Sequence, residues 1–299
     1  MWINKREVTA LSENIRKIID GHNIDIRDNQ EGLWSILKND IHTLADLKNE
    51  QVQVLEKERD LMQNTLANIS HQIKTPLTSL MMMADLLEDA PPEKQAEFLS
   101  NIKMGLTRMD WLATALLKMA KLDAKAVTFV LKEVSISELV HQALVPLEII
   151  LELKGQVVKF DSLEVSDLLN NNNRSNQVNS MVNLTLSCDP TWTAEALTNL
   201  IKNASEYSPE NSIISINSGE NPISAWISVT DSGNGIPLNQ IPGLFKRFEG
   251  SRSEKGFGIG LPLAQSIMHN QNGEIQVQGG GNGIGATFML KFFKTRANS

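Results

Sequence analysis

His71, together with an asparagine pair and two glycine-rich turns far downstream of it, holds the residue types in this 299-residue chain that can do chemistry. The histidine stands in Asn68-Ile-Ser-His71-Gln72-Ile-Lys-Thr75-Pro76-Leu77. An unperturbed imidazole has a pKa of about 6.5, so near neutral pH it is largely neutral and nucleophilic. Asn199 and Asn203 follow, then Asp231-Ser-Gly233-Asn-Gly235-Ile-Pro237, then Gly256-Phe-Gly258-Ile-Gly260. Carboxamide oxygens are hard ligands that suit a Mg²⁺ ion keeping its waters and phosphate oxygens. A carboxylate in a tight turn accepts a hydrogen bond from an amino group, and a glycine-rich turn that opens a helix presents free N–H groups to an anion. Singly, each motif has a plainer reading: a solvated histidine, a polar helix face, a bare turn. In this order and at this separation they supply an exposed nucleophile and a phosphate cradle, the parts needed for phosphoryl transfer from a nucleotide to histidine.

The elements that must position these residues fall into two parts. The first ninety residues read as helix, with one amphipathic stretch over residues 15–20 ending at Gly21 and another starting near Glu31. The second runs through a charged segment into a seam of Met62, Leu66, Ile69, Ile73, Leu77, Leu80, Ala84 and Leu87, spaced three or four apart. Pro91-Pro92 ends it. Phe98, Ile102, Gly105, Met109, Leu112, Leu116, Met119 and Leu122 then form the seam of a second helix. A helical hairpin of this kind buries its seam poorly alone, so a homodimeric four-helix bundle is expected. His71 lies two residues from Ile69 and from Ile73, about 200° around the helix from each, and so points away from that seam. Pro76 inside the same helix is a local disruption costing about 3 kcal/mol.

Beyond Asp123, β-like runs at residues 127–131, 157–160, 181–186, 213–216, 225–230, 274–277 and 287–292 alternate with helical patterns over 137–153, 191–207 and 261–269. This predicts a mixed α/β domain with helices on one face of a sheet. The overall class is α+β and multidomain: a helical hairpin followed by an α/β sandwich. Asp189-Pro190 is a helix start, and Asn199, Asn203 and Tyr207, four apart, share one face of the helix it opens. The polar run 170–173 reads as a loop.

Composition narrows the function classes. The net charge of −7, from 28 basic and 35 acidic residues, gives no electrostatic reason to expect nucleic acid. The single cysteine, Cys188, excludes an intramolecular disulfide framework and a multi-cysteine metal site. No apolar run reaches the roughly 18–20 residues of a membrane span, although Trp2 followed by Lys5-Arg6 is a pattern common at the cytoplasmic edge of one. The glycine turn at 256–260 lacks both the dinucleotide fingerprint and the Gly-Lys-Ser/Thr of a P-loop.

Taken together, these motifs resemble the sensor histidine kinases of two-component signalling. His71 to Leu77 resembles their H box, Asn199-Leu-Ile-Lys-Asn203-Ala the N box, and Asp231 to Pro237 the G1 box. Leu244-Phe-Lys-Arg247-Phe248 resembles the F box, and Gly256 to Leu261 the G2 box. The resemblance spans about residues 50–299. It implies a HAMP-like helical linker at 1–50, a dimerisation and phosphotransfer domain at 51–125 and a Bergerat-type ATP-binding domain at 126–299. ATP and Mg²⁺ are the implied cofactors. Asp231, with Gly233 and Gly235 in its turn, is implied to read the adenine amino group, and Asn199 and Asn203 to face the metal. Tyr207, Arg247 and the backbone at Gly256, Gly258 and Gly260 are implied to lie near the phosphates. His71 is implied to take the γ-phosphoryl group and pass it to an aspartate of a response regulator, with Thr75 serving hydrolysis of the phosphorylated partner and Gln72 able to orient the water. The implied setting is the cytoplasmic side of a membrane, tethered to a sensor region.

Two positions depart from the family pattern. Gln72 stands where many relatives carry an acidic residue, and an amide cannot act as a base at neutral pH. Glu206 stands where a basic residue is frequent, which removes a phosphate contact. Two other readings share the fold: an ATPase of the gyrase or mismatch-repair type, with Glu195 or Glu206 as base, and a non-catalytic ATP-binding scaffold.

Overall fold

The computed structural model describes residues 5–19, 25–27, 33–88, 90–161, 163–164, 184–248, 258–280 and 285–294. Trp2, the loop at 170–173, the start of the expected strand at 181–183 and Gly256 lie outside the described residues. The chain divides into two compact units, residues 1–71 and 72–299.

In the first unit, α1 (Lys5–Ile19) carries Leu11 and Ile18, which form a small core with Ile26, Trp34, Ile41 and Ala45. Helix α2 (Leu33–Glu88) begins in this unit and continues as one 56-residue helix with Pro76 inside it. The proline has no N–H, so the carbonyl of Gln72 loses its usual helical partner one turn past His71. Helix α3 (Pro92–Asp123) starts directly after the turn, with Pro92 at its first position, where a missing N–H costs nothing.

The hairpin seam differs from the expected one on α2. Within the second unit the covered positions of that helix are Gln72, Pro76, Leu80, Met83 and Leu87, whereas Ile73, Leu77, Met81 and Ala84 are exposed. Two adjacent apolar stripes are present, and the sequence pattern merges them. Leu80 is the buried contact: a Cβ placed on Gly105 of α3 would stand 2.5 Å from its Cδ2, so the glycine makes room for the leucine. On α3 the seam agrees with expectation, with Leu112, Met119 and Leu122 buried and Phe98, Ile102, Met109 and Leu116 half-buried.

The rest of the second unit is a helix-covered sheet. Its strands are β1 (Lys132–Ser135), β2 (Val157–Phe160), β3 (Leu163–Glu164), β4 (Thr185–Cys188), β5 (Ile213–Glu220), β6 (Ser224–Thr230), β7 (Gly273–Gln278) and β8 (Thr287–Phe293). Six of them form one sheet in the order β3-β2-β5-β6-β8-β7, in which only β2 and β5 run parallel, and β1 pairs with β4 in a separate ribbon. The helices are α4 (Ile136–Leu144), α5 (Glu148–Leu153), α6 (Pro190–Tyr207) and α7 (Gly260–Asn270). Ile214, Ile216, Ile227, Val229, Phe288 and Leu290 alternate along β5, β6 and β8 and are all buried in the core shared with Leu197, Leu200, Ile201, Leu263 and Ile267.

Three expected elements are corrected. Residues 127–131 are not a strand; the N–H of Val130 donates to the Asp189 carboxylate at 2.9 Å, and the ladder begins only at Lys132. The helix expected over 137–153 is broken by a 3-10 turn at Val145–Leu147, where Pro146 cannot donate. The strand expected to end at Leu186 instead extends to Cys188.

Candidate active site

Helix α6 is held firmly at its start. One oxygen of Asp189 accepts from the N–H groups of Thr191 and Trp192 at 3.1 Å each, and Pro190 occupies the first turn. Gln271 reaches back to accept the Asp189 N–H at 2.7 Å, tying the end of α7 to the start of α6. The expected asparagine face follows. Asn199 is buried and its Nδ2 donates to the Glu195 carbonyl at 2.9 Å, which fixes the amide and orients Oδ1 to the opposite side. A Cβ on Gly260 would lie 2.9 Å from that Oδ1, so the asparagine and the first residue of α7 are in close approach. Asn203 is half-buried and Tyr207 exposed, one and two turns further along.

Strand β6 delivers Asp231 to a turn enclosed by backbone. Its carboxylate is buried, and Oδ1 accepts from the N–H of Gly233 at 2.8 Å and of Ala286 at 3.1 Å. The Asp231 N–H in turn donates to the Ala286 carbonyl at 3.0 Å. Burial raises the carboxyl above its ordinary pKa of 3.8, and the two amide donors partly offset this. A Cβ on Gly285 would collide with the Asp231 carbonyl, and one on Gly233 would stand 2.7 Å from the Tyr207 carbonyl. Gly235 (φ 74°) and Gly258 (φ 65°) adopt left-handed backbone that other residues enter at a cost. The turn Asp231–Gly235 thus rests on the end of α6 on one side and on the Gly285–Ala286 segment on the other.

Arg247 does not reach out from its turn. Its Nη1 and Nη2 each lie 2.8 Å from an oxygen of Asp123 at the end of α3. Phe248 next to it donates its N–H to the Gly258 carbonyl at 3.1 Å, joining the two glycine-flanked segments. Further polar contacts tie α3 to α6: Lys118 pairs with Glu195 at 2.8 Å, and Lys202 stands 3.7 Å from the ring centre of Trp111. Burial there lowers the Lys202 pKa. The carboxylate of Glu195, the base candidate of the ATPase reading, is therefore engaged by an ammonium.

His71 is exposed on α2, as are Thr75 and its neighbour Lys74, while Gln72 is half-buried. The hydroxyls of Ser70 and Thr78 bracket them, each donating back to a carbonyl one turn earlier, at 2.9 Å.

The residues around Asp231 fit a nucleotide. Gly233, Gly260 and Gly285 allow the Tyr207 carbonyl, the Asn199 amide and the Asp231 backbone to approach closely, and both backbone donors to the buried carboxylate meet at its Oδ1, which leaves Oδ2 to accept from a ligand. Among the described residues no group of three His, Cys, Asp or Glu side chains is placed to hold a metal. The Asn199 amide oxygen, directed at Gly260, is a hard donor that suits a cation bringing phosphate oxygens as its other ligands.

Sequence reasoning missed Ala286, Gly285 and Ser208 as parts of this site. Gly285 is preceded by glycines at 279, 280, 281 and 283, a density that marks close backbone approach. Ser208 carried no signal.

A recess built on an asparagine helix, a buried aspartate turn and a glycine-opened helix, over a mixed sheet, defines the Bergerat class of ATP-binding folds. Residues 188–296 match the family model for histidine kinase-, DNA gyrase B- and HSP90-like ATPases. Residues 61–125 match that of the His Kinase A phospho-acceptor domain. With the phospho-acceptor domain preceding the ATPase domain, the chain belongs to the sensor histidine kinases. It is similar to sporulation kinase C of Bacillus subtilis, with 25% identity over 77% of this chain and 49% of that protein. It is also similar to the sensor protein CreC of Escherichia coli, with 24% identity over 94% of this chain and 54% of that protein. The chain spans about half the length of these curated relatives. Its fold matches histidine kinase AdeS of Acinetobacter baumannii (TM-score 0.53, 20% identity, 75% of this chain and 97% of that one). It also matches histidine kinase ThkA solved in complex with the response regulator protein TrrA (TM-score 0.61, 20% identity, 84% of this chain and 67% of that one). No helix among the described residues is long and apolar enough to cross a membrane.

Proposed function

We propose that the chain transfers the γ-phosphoryl group of ATP to His71 and then to an aspartate of a response regulator receiver domain, and that it also removes the phosphoryl group from that regulator. The observation that carries this reading is the exposed imidazole of His71 on the helix matched by the phospho-acceptor model, in a chain that also holds the Asp231 recess. ATP supplies the phosphoryl group. Asp231 would hold the adenine amino group, Asn199 and Asn203 the Mg²⁺, and the turn around Gly258 and Gly260 the phosphates through backbone N–H groups. The lone pair of an imidazole nitrogen forms the new N–P bond as the bond from the γ-phosphorus to the bridging oxygen breaks, and ADP leaves with that electron pair. Gln72 has no proton-accepting role in this step, because a carboxamide is not a base at neutral pH. In dephosphorylation the water is held by Thr75 and Gln72.

The working assembly is a homodimer, supported by the exposed stripe Ile73, Leu77 and Met81 on α2 beside the covered one. Residues 1–50 form the input linker, 51–125 the dimerisation and phosphotransfer domain, and 126–299 the catalytic domain, acting at the cytoplasmic face of a membrane-tethered sensor. The pairing of a kinase with a response regulator in the ThkA–TrrA structure supports the choice of partner. Incubation with γ-labelled ATP tests the reading. A kinase acquires protein-bound label that is acid-labile and base-stable; an ATPase releases free phosphate without it, and a scaffold does neither.

A further inference from the structure

The last turn of α6 ends in a buried polar strap that reaches the Asp231 turn. Gln156, at the start of β2, is 7% exposed. Its Nε2 donates to the carbonyls of Ser205 at 3.1 Å, Ser208 at 3.3 Å and Pro209 at 3.0 Å, and its Oε1 accepts from the Ser205 hydroxyl at 2.6 Å. Lys154 Nζ adds a 2.7 Å bond to the same Ser205 carbonyl. Helix C-termini leave carbonyls without intrahelical donors, and this one side chain serves the Ser205 carbonyl in the last turn together with those of the C-cap Ser208 and of Pro209 just beyond it. Ser208, itself 9% exposed, then accepts the N–H of Ser232 on its hydroxyl at 3.0 Å. Ser232 is the residue after Asp231, and its own hydroxyl donates to the Ile213 carbonyl at 2.6 Å. The Gly233 backbone meanwhile rests against the Tyr207 carbonyl.

We infer that Ser208, held by Gln156, is a positioning residue for nucleobase selection: its hydroxyl sets the register of the Asp231 turn against the end of the asparagine helix. This rests on the reading of Asp231 as the acceptor for a 6-amino purine. Asp231 has one oxygen committed to Gly233 and Ala286, so the direction of the other depends on where the peptide Asp231–Ser232–Gly233 lies. That peptide is fixed from the Ala286 side by two bonds to Asp231 and from the α6 side by the Ser208 hydroxyl. Removing the hydroxyl leaves the fold's apolar core untouched and takes from the turn its bond to the C-cap of α6, the Ser232 hydroxyl keeping its bond to the Ile213 carbonyl. The contribution is therefore to specificity. A misplaced acceptor loses the favourable contact with an amino group and also the rejection of a purine carrying an oxygen at that position, because rejection depends on polar groups meeting in fixed geometry.

The test uses the full chain, with ATP and GTP affinities measured by calorimetry for wild type, Ser208→Ala and Ser208→Thr, and amide exchange at Ser232 followed in the nucleotide-free protein. The expected result is faster Ser232 exchange in Ser208→Ala, with ATP affinity down about five- to tenfold, in keeping with the loss of one buried hydrogen bond. GTP affinity should change little, so the ATP-to-GTP ratio shrinks, and Ser208→Thr should restore both the ratio and the slow exchange. Gln156→Met should narrow the ratio in the same sense. An unchanged ratio in Ser208→Ala, with or without faster exchange, overturns the positioning role. A uniform loss for both nucleotides overturns it too, since a merely structural serine would act that way. Wild-type protein that binds neither nucleotide, or does not prefer ATP, contradicts the adenine reading of Asp231 itself.

Discussion

Arg247 and Asp123 form a two-pronged ion pair, each terminal guanidinium nitrogen 2.8 Å from a different carboxylate oxygen, between the turn after the 3-10 segment Leu238–Gly243 and the last residue of α3. A bidentate arginine–carboxylate pair is directional and holds the guanidinium plane in one orientation. The side chains remain 35% and 44% exposed, so solvent screens the pair strongly. Arginine in this turn is the residue that the family resemblance implies lies near the phosphates, and here its guanidinium is held by Asp123.

If Arg247 serves the phosphates as proposed from the resemblance, Asp123→Asn releases it by removing the paired charge. The expected outcome is a rise in ATP affinity of up to about fivefold, the ceiling set by a partly exposed pair worth roughly 0–1 kcal/mol. Titration with a fluorescent ATP analogue at low and high salt checks it, and the gain should diminish at high salt.

Nucleotide affinity should depend on pH through Asp231. Its carboxyl is raised by burial, so it protonates at a higher pH than an ordinary aspartate. Both backbone donors occupy Oδ1, which directs an added proton to Oδ2 and turns an acceptor into a donor. ATP affinity should therefore fall on acidification, beginning above the ordinary carboxylate range. The stability sign is the reverse: a raised folded-state pKa contributes stability at low pH that is lost as pH rises through it. Asp231→Asn should accordingly keep or slightly raise the melting temperature at pH 7, while weakening ATP binding at least about tenfold by opposing two donors. Calorimetry and thermal denaturation on the same samples separate these effects.

Gly285→Ala and Gly260→Ala should differ in kind. The Cβ at residue 285 meets the Asp231 backbone, which cannot yield, whereas at residue 260 it meets the far end of the Asn199 side chain. The first should destabilise the domain by about 1–3 kcal/mol, as overpacking does. The second should leave stability nearly intact and displace the amide, weakening the Mg²⁺ dependence of nucleotide binding. Denaturant melts and binding titrations with and without Mg²⁺ read the two outcomes.

Leu77→Glu places a charge in the exposed apolar stripe of α2, where Leu77 is 44% exposed. Sedimentation should show the full chain shifting from dimer to monomer at micromolar concentration, with little loss of helix by circular dichroism. A dimer that persists would place the interface elsewhere.

Much of this architecture is legible in the sequence, and the departures have physical causes. Pro91-Pro92 and Asp189-Pro190 mark helix limits because proline and a capping aspartate act locally, and the structure places α2, α3 and α6 accordingly. The site turn at Asp231–Gly235 is likewise local. What fails is whatever depends on a distant partner. Val130 lies outside any ladder and donates its N–H to the Asp189 carboxylate, and the α2 seam splits in two because covered and exposed stripes have the same residue chemistry. Ser208, Ala286 and the Asp123 partner of Arg247 contribute through contacts between remote segments, which periodicity does not encode.

The central claim is that His71 is the phosphorylated residue. The measurement that tests it most directly is mapping of the label after incubation with γ-labelled ATP, in wild type and in His71→Gln, with ATP binding checked in both. The account predicts acid-labile label confined to His71, and its complete loss in the variant with nucleotide affinity unchanged. Label that persists in His71→Gln, at His22, His42, His141 or His269, would contradict it.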